Sequence, residues 1–124
     1  MILVDSSIWI ELFEGTEKGL SIKENISKNK CYTSIVSISE VVKWCLQNKF
    51  DEEFYIRTIE ENSLVLNLKK NIVKLAGKIN FEQKKKYKKF GMIDALIYTT
   101  GLTYGLKTIT KDQDFKGLPN VEIF

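Results

Sequence analysis

Short runs of apolar and β-branched residues alternate along this chain with longer segments whose hydrophobic positions recur every three or four residues. The runs occupy 2–4, 31–33, 64–66, 107–110 and 121–124, lengths that suit strands rather than helices. The intervening periodicity predicts helices over about 8–13, 17–28, 38–46, 51–61, 69–86 and 93–102. Ser6 or Ser7 is expected to begin the first helix, and Ser34 or Ser37 the third. This alternation predicts an α/β fold in which helices cover both faces of a parallel sheet.

The composition is that of an ordinary globular protein. Hydrophobic residues make up 44% and charged residues 28% of the 124 residues, so we expect a single domain spanning residues 1–124. The longest apolar stretches are too short to cross a bilayer, and Asp5 interrupts the N-terminal run where a signal peptide would need apolar residues. We therefore expect a cytoplasmic protein with no membrane partner.

The absence of histidine narrows the chemistry more than any other feature of the composition. It excludes Ser-His-Asp and Cys-His catalysis, histidine acid–base chemistry and zinc sites that use histidine. Cys31 and Cys45 cannot complete a four-ligand zinc site and are expected to be free, mostly buried thiols. A hydrolase with this composition must use carboxylates, lysines or a metal held by oxygen ligands.

Three acids directly follow predicted strands. Asp5 follows the first strand, and Asp112 and Asp114 follow the strand over 107–110. Ligand sites in open α/β sheets form beyond the carboxyl ends of the strands. These three acids should therefore lie at one edge of the sheet, although they are far apart along the chain.

Two more acids lie near the starts of apolar helices, and each also has a purely structural explanation. Asp94 could cap its helix through the helix dipole, although its apolar neighbours indicate burial, and a buried acid needs a partner. Glu40 could form a capping box with Ser37, which explains it about as well as a site does. Asp5, taken alone, could likewise cap a helix.

Taken together, the acids indicate a bound cation. Several carboxylates at one edge of a small sheet would repel one another unless a positive charge neutralises them. Mg²⁺ prefers oxygen ligands and commonly binds a few carboxylates together with water. Such an ion supports phosphodiester hydrolysis without histidine, because it activates water and offsets the charge on the phosphate.

Four segments of the sequence resemble, in order, the pattern of PIN domains. Met1–Ile10 is similar to the opening strand, acid and helix of that family, and Ile38–Val41 falls where the family has its second acid. Asp94–Tyr98 resembles the helix of the third acid, and Thr108–Phe115 resembles the closing strand and its acidic turn. The resemblance spans the whole chain, whose size and ends look most like the VapC toxins of toxin–antitoxin pairs.

This resemblance implies a fold, an activity and a set of partners. The fold would be a three-layer α/β/α PIN-like arrangement around a short, mainly parallel central sheet. The activity would be that of a Mg²⁺- or Mn²⁺-dependent endoribonuclease, the toxin of a type II pair that cleaves RNA and is inhibited by a small antitoxin protein. A homodimer is also expected by analogy with the family, through the apolar helices Ile8–Phe13 and Ile38–Leu46.

The resemblance also assigns roles to individual residues. Catalysis and metal binding would fall to Asp5, Glu40, Asp94 and Asp112, with Asp114 a second candidate ligand at the last turn. Ser6 and Thr110 would orient these acids or the water on the metal. The segment Val41–Trp44 departs from the toxins, which commonly carry a small residue and a glycine there.

A lysine-rich segment precedes Asp94. Lys84, Lys85, Lys86, Lys88 and Lys89 surround Tyr87, and Phe90 follows them. A solvated helix end is enough to explain such a run. If the run lies beside the acids, its cations could instead hold RNA phosphates, and Tyr87 or Phe90 could stack on an exposed base.

Three other interpretations stay open. A PIN-type ribonuclease could act in RNA processing or decay without an antitoxin, and a neighbouring short gene for a DNA-binding protein would favour the toxin instead. A PIN-like domain with an inactive site could bind RNA or protein, which the intact acids disfavour. A phosphate-binding receiver-type domain is also disfavoured, because it would have paired acids near the N-terminus, where Asp5 stands alone.

Overall fold

The computed structural model describes all of residues 1–124 and contains five strands and six α-helices. Every strand and helix predicted from the sequence is present. The elements follow the order β1 (Ile2–Val4), α1 (Ser6–Glu14), α2 (Glu17–Ile26), β2 (Cys31–Ser34), α3 (Ile35–Gln47), α4 (Glu52–Asn62), β3 (Leu64–Leu66), α5 (Lys70–Gln83), α6 (Met92–Thr103), β4 (Lys107–Thr110), a 3₁₀ turn (Gln113–Phe115) and β5 (Val121–Ile123).

The strands form one wholly parallel sheet in the order β3-β2-β1-β4-β5. The chain runs from β1 through β2 and β3 to one edge, then resumes on the other side of β1 with β4 and β5. The order in which the chain adds strands to the sheet therefore reverses between β1 and β4, where Val4 pairs with Ile109. A crevice forms beyond the carboxyl ends of the strands at such a reversal, and ligands of open α/β sheets bind there.

Successive residues of β1 face opposite sides of the sheet and hold the two helical layers. Ile2 and Val4 pack with residues of α1, α2, α3 and α4 on one face. Leu3 packs with Ile97 of α6 on the other face. All three strand residues are buried, and burial of a side chain of this size stabilises the fold by about 1.5–3 kcal/mol. The predicted three-layer α/β/α fold is confirmed.

Helix boundaries match the prediction at some positions and differ at others. α1 ends at Gly15, whose φ of 69° lies in the left-handed region that favours glycine. α3 begins directly after Ser34, which leaves Ser37 inside the helix. α5 ends at Gln83, so its predicted extension to residue 86 is wrong. If the helix continued, Lys84 would face Lys88 and Lys85 would face Lys89, and like charges four residues apart disfavour a helix.

The helices and the two cysteines agree with what the composition predicts. No helix combines the length and the apolar character needed to cross a membrane. Cys31 and Cys45 are both free thiols, with Cys45 buried and Cys31 half-buried.

Gly101 in α6 packs so closely on the sheet that a side chain does not fit. A Cβ atom there would lie 2.6 Å from Thr108 Oγ1 and 3.2 Å from Leu3 Cδ2. We predict that Gly101→Ala lowers the free energy of unfolding by about 1–3 kcal/mol, because overpacking forces neighbouring side chains to shift. Gly77→Ala in α5 is the matched control: nothing lies within 4 Å of its Cβ position, and a gain of up to about 1 kcal/mol is expected. Urea unfolding of both variants checks this, and equal stabilities would contradict it.

Candidate metal centre

A cleft of about 340 Å³ opens at the carboxyl end of β1, between the start of α1 and one face of α3. Its wall carries four carboxylates from distant parts of the chain. Asp5 follows β1, Glu40 lies on α3, Asp94 lies on α6 and Asp112 follows β4. The fold thus gathers these four acids where the strand order reverses.

Asp5 is the most enclosed of the four, with only 2% of its surface exposed. Ser7 Oγ and Thr110 Oγ1 donate hydrogen bonds to Asp5 Oδ2 over 2.7 and 2.8 Å. Burial raises the pKa of Asp5, while these hydroxyls and the backbone N–H groups of Ser6 and Ser7 oppose the rise. The hydroxyls therefore favour the charged carboxylate where burial favours the protonated form.

Ser6 links Glu40 to Asp5. Ser6 Oγ donates a hydrogen bond of 2.6 Å to Glu40 Oε1 and lies 3.5 Å from Asp5 Oδ1. Burial raises the pKa of Glu40, and the neighbouring carboxylates add to the rise against the Ser6 bond. The capping box that the sequence allowed does not form, because Ser37 is buried inside α3 and its hydroxyl has no partner.

Asp94 combines a helix cap with a place in the cleft. Its Oδ2 accepts a hydrogen bond of 2.9 Å from the Gly91 backbone N–H at the start of α6. Burial raises the pKa of Asp94 to about 7, against the Gly91 bond, and the charges of Asp5, Asp112 and Glu40 contribute to the rise. Asp94 therefore caps α6, as its position in the sequence allowed, and it also lines the cleft with the other acids.

The last turn supplies one acid to the cleft. Asp112 lines the cleft, whereas Asp114 does not. Asp112 Oδ1 accepts a hydrogen bond of 2.8 Å from the Asp114 backbone N–H, which begins the 3₁₀ turn. The Gln83 side chain donates to the Asp114 carbonyl over 2.8 Å and ties this turn to α5. The geometry favours Asp112 over Asp114 as the fourth acid.

The donor set of the cleft fits a hard divalent cation. All of its charged acceptors are carboxylates, and Glu40, Asp94 and Asp112 each use only one oxygen in a hydrogen bond. As the side chains stand, no group of three or more acidic or cysteine side chains is arranged to hold a metal ion. Each acid accepts a hydrogen bond from a nearby hydroxyl or backbone N–H group. Their free oxygens and shared cleft suit Mg²⁺ or Mn²⁺.

Ser7 is a site residue that the sequence singled out only as a helix cap. Its Oγ accepts a hydrogen bond of 3.0 Å from the Lys111 backbone N–H and lies 3.3 Å from Thr110 Oγ1. Because Ser7 also donates to Asp5, it joins the turn after β4 to the acid after β1. The sequence carried no signal for this, since the two partners are about a hundred residues apart.

Part of α3 also extends the cleft beyond the predicted residues. Lys43, Trp44 and Gln47 line it together with Glu40. Their spacing of three, four and seven residues from Glu40 was a signal in the sequence, because such positions share one face of a helix.

The lysine-rich segment lies outside the cleft wall. Its five lysines are exposed, and none of them lines the cleft. Phe90 is fully buried, with its ring centroid 5.2 Å from that of Phe115, so its predicted stacking on a base is wrong. The side chain belongs to the core beside α6. Tyr87 is half-buried against the same cluster.

The sequence also matches a known family. The family model of the PIN domain matches residues 2–121 of the chain. No curated protein matches the sequence.

Several solved structures share the fold. A toxin–antitoxin complex from Klebsiella pneumoniae matches with a TM-score of 0.77 and 23% identity, over 98% of this chain and 96% of that one. VapBC2 from Rickettsia felis, bound to a promoter DNA fragment, matches with a TM-score of 0.79 and 17% identity, over 100% and 99% of the two chains. VapC20 from Mycobacterium tuberculosis, a toxin that cleaves the sarcin-ricin loop, matches with a TM-score of 0.76 and 16% identity, over 99% and 98%. At these identities the likeness shows a common fold.

Proposed function

The chain belongs to the PIN domain family, and from this we propose that it is a metal-dependent endoribonuclease that hydrolyses RNA phosphodiester bonds. The observation that carries the proposal is the cleft in which Asp5, Glu40, Asp94 and Asp112 meet at the reversal of strand order. A site with carboxylates and no histidine suits metal-assisted hydrolysis of a phosphodiester.

The four acids would hold Mg²⁺ or Mn²⁺. When bound, the ion lowers the pKa of a water molecule and offsets charge on the phosphate. The surrounding hydroxyls favour the charged form of the acids and orient them: Ser7 and Thr110 donate to Asp5, and Ser6 donates to Glu40. Residues in this supporting position tune both the affinity for a metal and the activity.

RNA cleavage by the wild type and by Asp5→Asn, with Mg²⁺, with Mn²⁺ and with EDTA, tests the proposal. Asp5→Asn keeps the shape of the side chain and an oxygen that can accept the Ser7 and Thr110 bonds. Glu122→Gln is the matched control, because Glu122 is an acid on β5 outside the cleft. Cleavage is expected from the wild type and the control only with a cation, and not from Asp5→Asn. Equal cleavage by all three proteins would refute the proposal.

Ser7→Ala is expected to lower the rate of RNA cleavage by about tenfold to a hundredfold with the fold retained, as is typical when a group supporting a metal ligand is lost. The change removes the 2.7 Å bond to Asp5 and the acceptor for the Lys111 N–H. Single-turnover cleavage rates and circular dichroism measure the two effects, with Ser21→Ala at an exposed position of α2 as the control. An unchanged rate for Ser7→Ala would remove its role in orienting Asp5.

We also propose that the exposed lysines over 84–89, with Tyr87, hold the RNA backbone outside the cleft. The only ion pair among them joins Lys85 to Glu82 on the surface, where such pairs are weak, so these cations are available to phosphates. Replacing Lys84, Lys85 and Lys86 with glutamine should weaken RNA binding and flatten its dependence on salt, by about 0.7 in log–log slope for each phosphate that a lysine no longer neutralises. Unchanged binding at several salt concentrations would leave this segment as a solvated turn.

An antitoxin partner belongs to the same proposal. It is supported by the shared fold with proteins described as parts of toxin–antitoxin complexes. A second cleft, of about 420 Å³, has a mixed lining that includes the half-buried Leu12 and Phe13 and the polar Asn29 and Asn62, and it is a candidate surface for such a partner. Inhibition of RNA cleavage by the product of a neighbouring short gene would support the pair. If no such gene product inhibits cleavage, a role in RNA processing or decay without an antitoxin is favoured.

A homodimer stays a prediction. Of the two apolar helices expected to form it, Ile8–Phe13 is largely used in the core. The other helix, Ile38–Leu46, ends with Leu46 exposed to solvent. Sedimentation of the wild type and of Leu46→Ala measures the oligomeric state.

A further inference from the structure

One face of α3 continues the cleft away from the acids. Glu40, Lys43, Trp44 and Gln47 all line the cleft from this helix. Seven residues of helix span about 10 Å, so the wall extends well beyond the position of Glu40. The opposite wall comes from the first turns of α1, through residues including Ile10. The acids therefore lie at one end of a groove.

Lys43 is the one cation in the wall of this groove. It is exposed and takes part in no ion pair, whereas Lys111 nearby is paired with Glu11 over 3.2 Å. Lys43 lies one helical turn from Glu40 and is close enough to lower the pKa of that carboxyl. An unpaired cation beside a site for phosphodiester hydrolysis is available to an RNA phosphate.

Trp44 is half-buried in the wall of the groove and is held by neighbouring aromatic rings. Its ring centroid lies 5.2 Å from that of Phe50 and 5.7 Å from that of Tyr55 in edge-on contacts, and 6.1 Å from that of Phe13 in a stacked contact, which leaves the other face of the ring for a base. Its indole N–H donates to no protein group, unlike that of the core residue Trp9. A ring already fixed by its neighbours loses little conformational freedom when a ligand binds. Bases of any identity can stack on such a ring.

From this arrangement we propose that Lys43, Trp44 and Gln47 bind the nucleotide next to the scissile phosphate of a single-stranded RNA. Lys43 binds a phosphate, Trp44 stacks on the base, and the exposed amide of Gln47 donates to or accepts from the edge of the base. The RNA is single-stranded because a base must leave its helix to stack on a side chain. This inference rests on the proposed ribonuclease function and identifies where its substrate lies.

The polarity of the groove favours RNA over a second protein chain as its occupant. Only two of the ten residues that line it are hydrophobic, and four are acids. A protein surface covering the groove would bury these like charges, which is costly without a cation. RNA brings phosphates and water and leaves the acids accessible to a divalent cation.

Tryptophan fluorescence tests this binding mode without requiring cleavage. The parent protein is Asp5→Asn, and the probe is a ten-nucleotide single-stranded RNA with a fluorescent end label, with binding followed by anisotropy. RNA is expected to quench the tryptophan emission of the parent. It should have little effect when Trp44→Phe is added, because the remaining tryptophan, Trp9, is buried.

Affinity measurements on further variants complete the test. Adding Trp44→Leu should weaken binding about tenfold, whereas Trp44→Phe keeps most of the affinity because phenylalanine can still stack. Adding Lys43→Gln should lower the log–log salt slope by about 0.7. Ser21→Ala, at an exposed position of α2 outside the groove, is the control and should bind RNA as the parent does.

The outcomes separate this inference from the function on which it rests. RNA binding without quenching, and with the same affinity after Trp44→Leu and Lys43→Gln, would overturn the inference even if the wild type cleaves RNA. Binding that depends on Trp44, together with no cleavage by the wild type with Mg²⁺ or Mn²⁺, would refute the ribonuclease and retain the groove. If Trp44→Leu does not fold, quenching of the parent protein, compared with Trp44→Phe, still tests whether RNA contacts Trp44. A dimer in which the partner subunit covers Trp44 would also overturn the inference.

Discussion

Asp94→Asn is expected to lower the rate of RNA cleavage by at least about a hundredfold and, at the same time, to stabilise the protein when no divalent cation is present. Cleavage falls because the variant loses a charged oxygen at the proposed metal site, where the loss of even a supporting group lowers activity by about tenfold to a hundredfold. The fold survives, because the amide oxygen of asparagine can still accept the 2.9 Å bond from the Gly91 N–H.

The gain in stability follows from the raised pKa of Asp94. The pKa is about 7 in the folded protein against 3.8 for the free side chain, so folding takes up a proton between these two values. The free energy of unfolding of the wild type therefore falls as pH rises from about 4 to about 7. The side chain that Asp94→Asn introduces does not titrate. Its advantage over the wild type should be small near pH 4, grow up to pH 7 and stay level above it.

Urea unfolding in EDTA at pH 5 and pH 8, alongside cleavage assays, measures both effects. Glu122→Gln is the control, because Glu122 is a half-exposed acid paired with Lys107 and its removal relieves no repulsion in the cleft. The repulsion between the acids would be contradicted if Asp94→Asn were no more stable than the wild type at pH 8. The catalytic role would be contradicted if the variant cleaved RNA at the wild-type rate.

Removing divalent cations is expected to abolish cleavage, and adding Mg²⁺ or Mn²⁺ should raise the melting temperature of the wild type. A ligand that binds only the folded state stabilises it by about 2.7 kcal/mol at a hundred times its dissociation constant. For a protein of this size that corresponds to a shift on the order of 10 °C. The shift should be larger at pH 8 than at pH 5, because carboxylates must lose their protons before they bind a metal.

Differential scanning fluorimetry with and without cation measures the shift. Asp5→Asn and Asp94→Asn should show little of it, and Glu122→Gln should show all of it. A shift of the same size in every variant would indicate that the cation binds elsewhere. Cleavage that persists after dialysis against EDTA would exclude the metal-dependent mechanism.

The elements of the fold could be predicted from the sequence because their signals are local. The apolar run Ile2–Val4 specifies a strand, and Gly15, which can adopt a left-handed backbone conformation, specifies the end of α1. The end of α5 differs from the prediction because the hydrophobic period runs on towards residue 86. A longer helix would place lysines four residues apart on one face, which is unfavourable, and Gln83 at the helix end donates instead to the carbonyls of Asp114 and Lys116.

Within the site, ambiguity remained where one residue had two local explanations. Glu40 could have capped α3 with Ser37, and only the position of Ser34 at the helix start excludes this. Asp112 was the expected fourth acid, but Asp114, two residues further on, remained a second candidate. The 3₁₀ turn separates them, because Asp112 accepts from the Asp114 N–H and only Asp112 lines the cleft.

The four carboxylates were candidates before the fold was known, because Asp5 and Asp112 follow predicted strands, Asp94 stands in an apolar helix, and the resemblance to PIN domains adds Glu40. Their meeting in one cleft, the hydroxyl of Ser7 that holds Asp5 and the continuation of the groove along α3 came only from the tertiary structure. The reason is physical: a strand or helix is set by neighbours along the chain, whereas a site depends on which strands lie side by side. Here β1 and β4 are adjacent although about a hundred residues separate them.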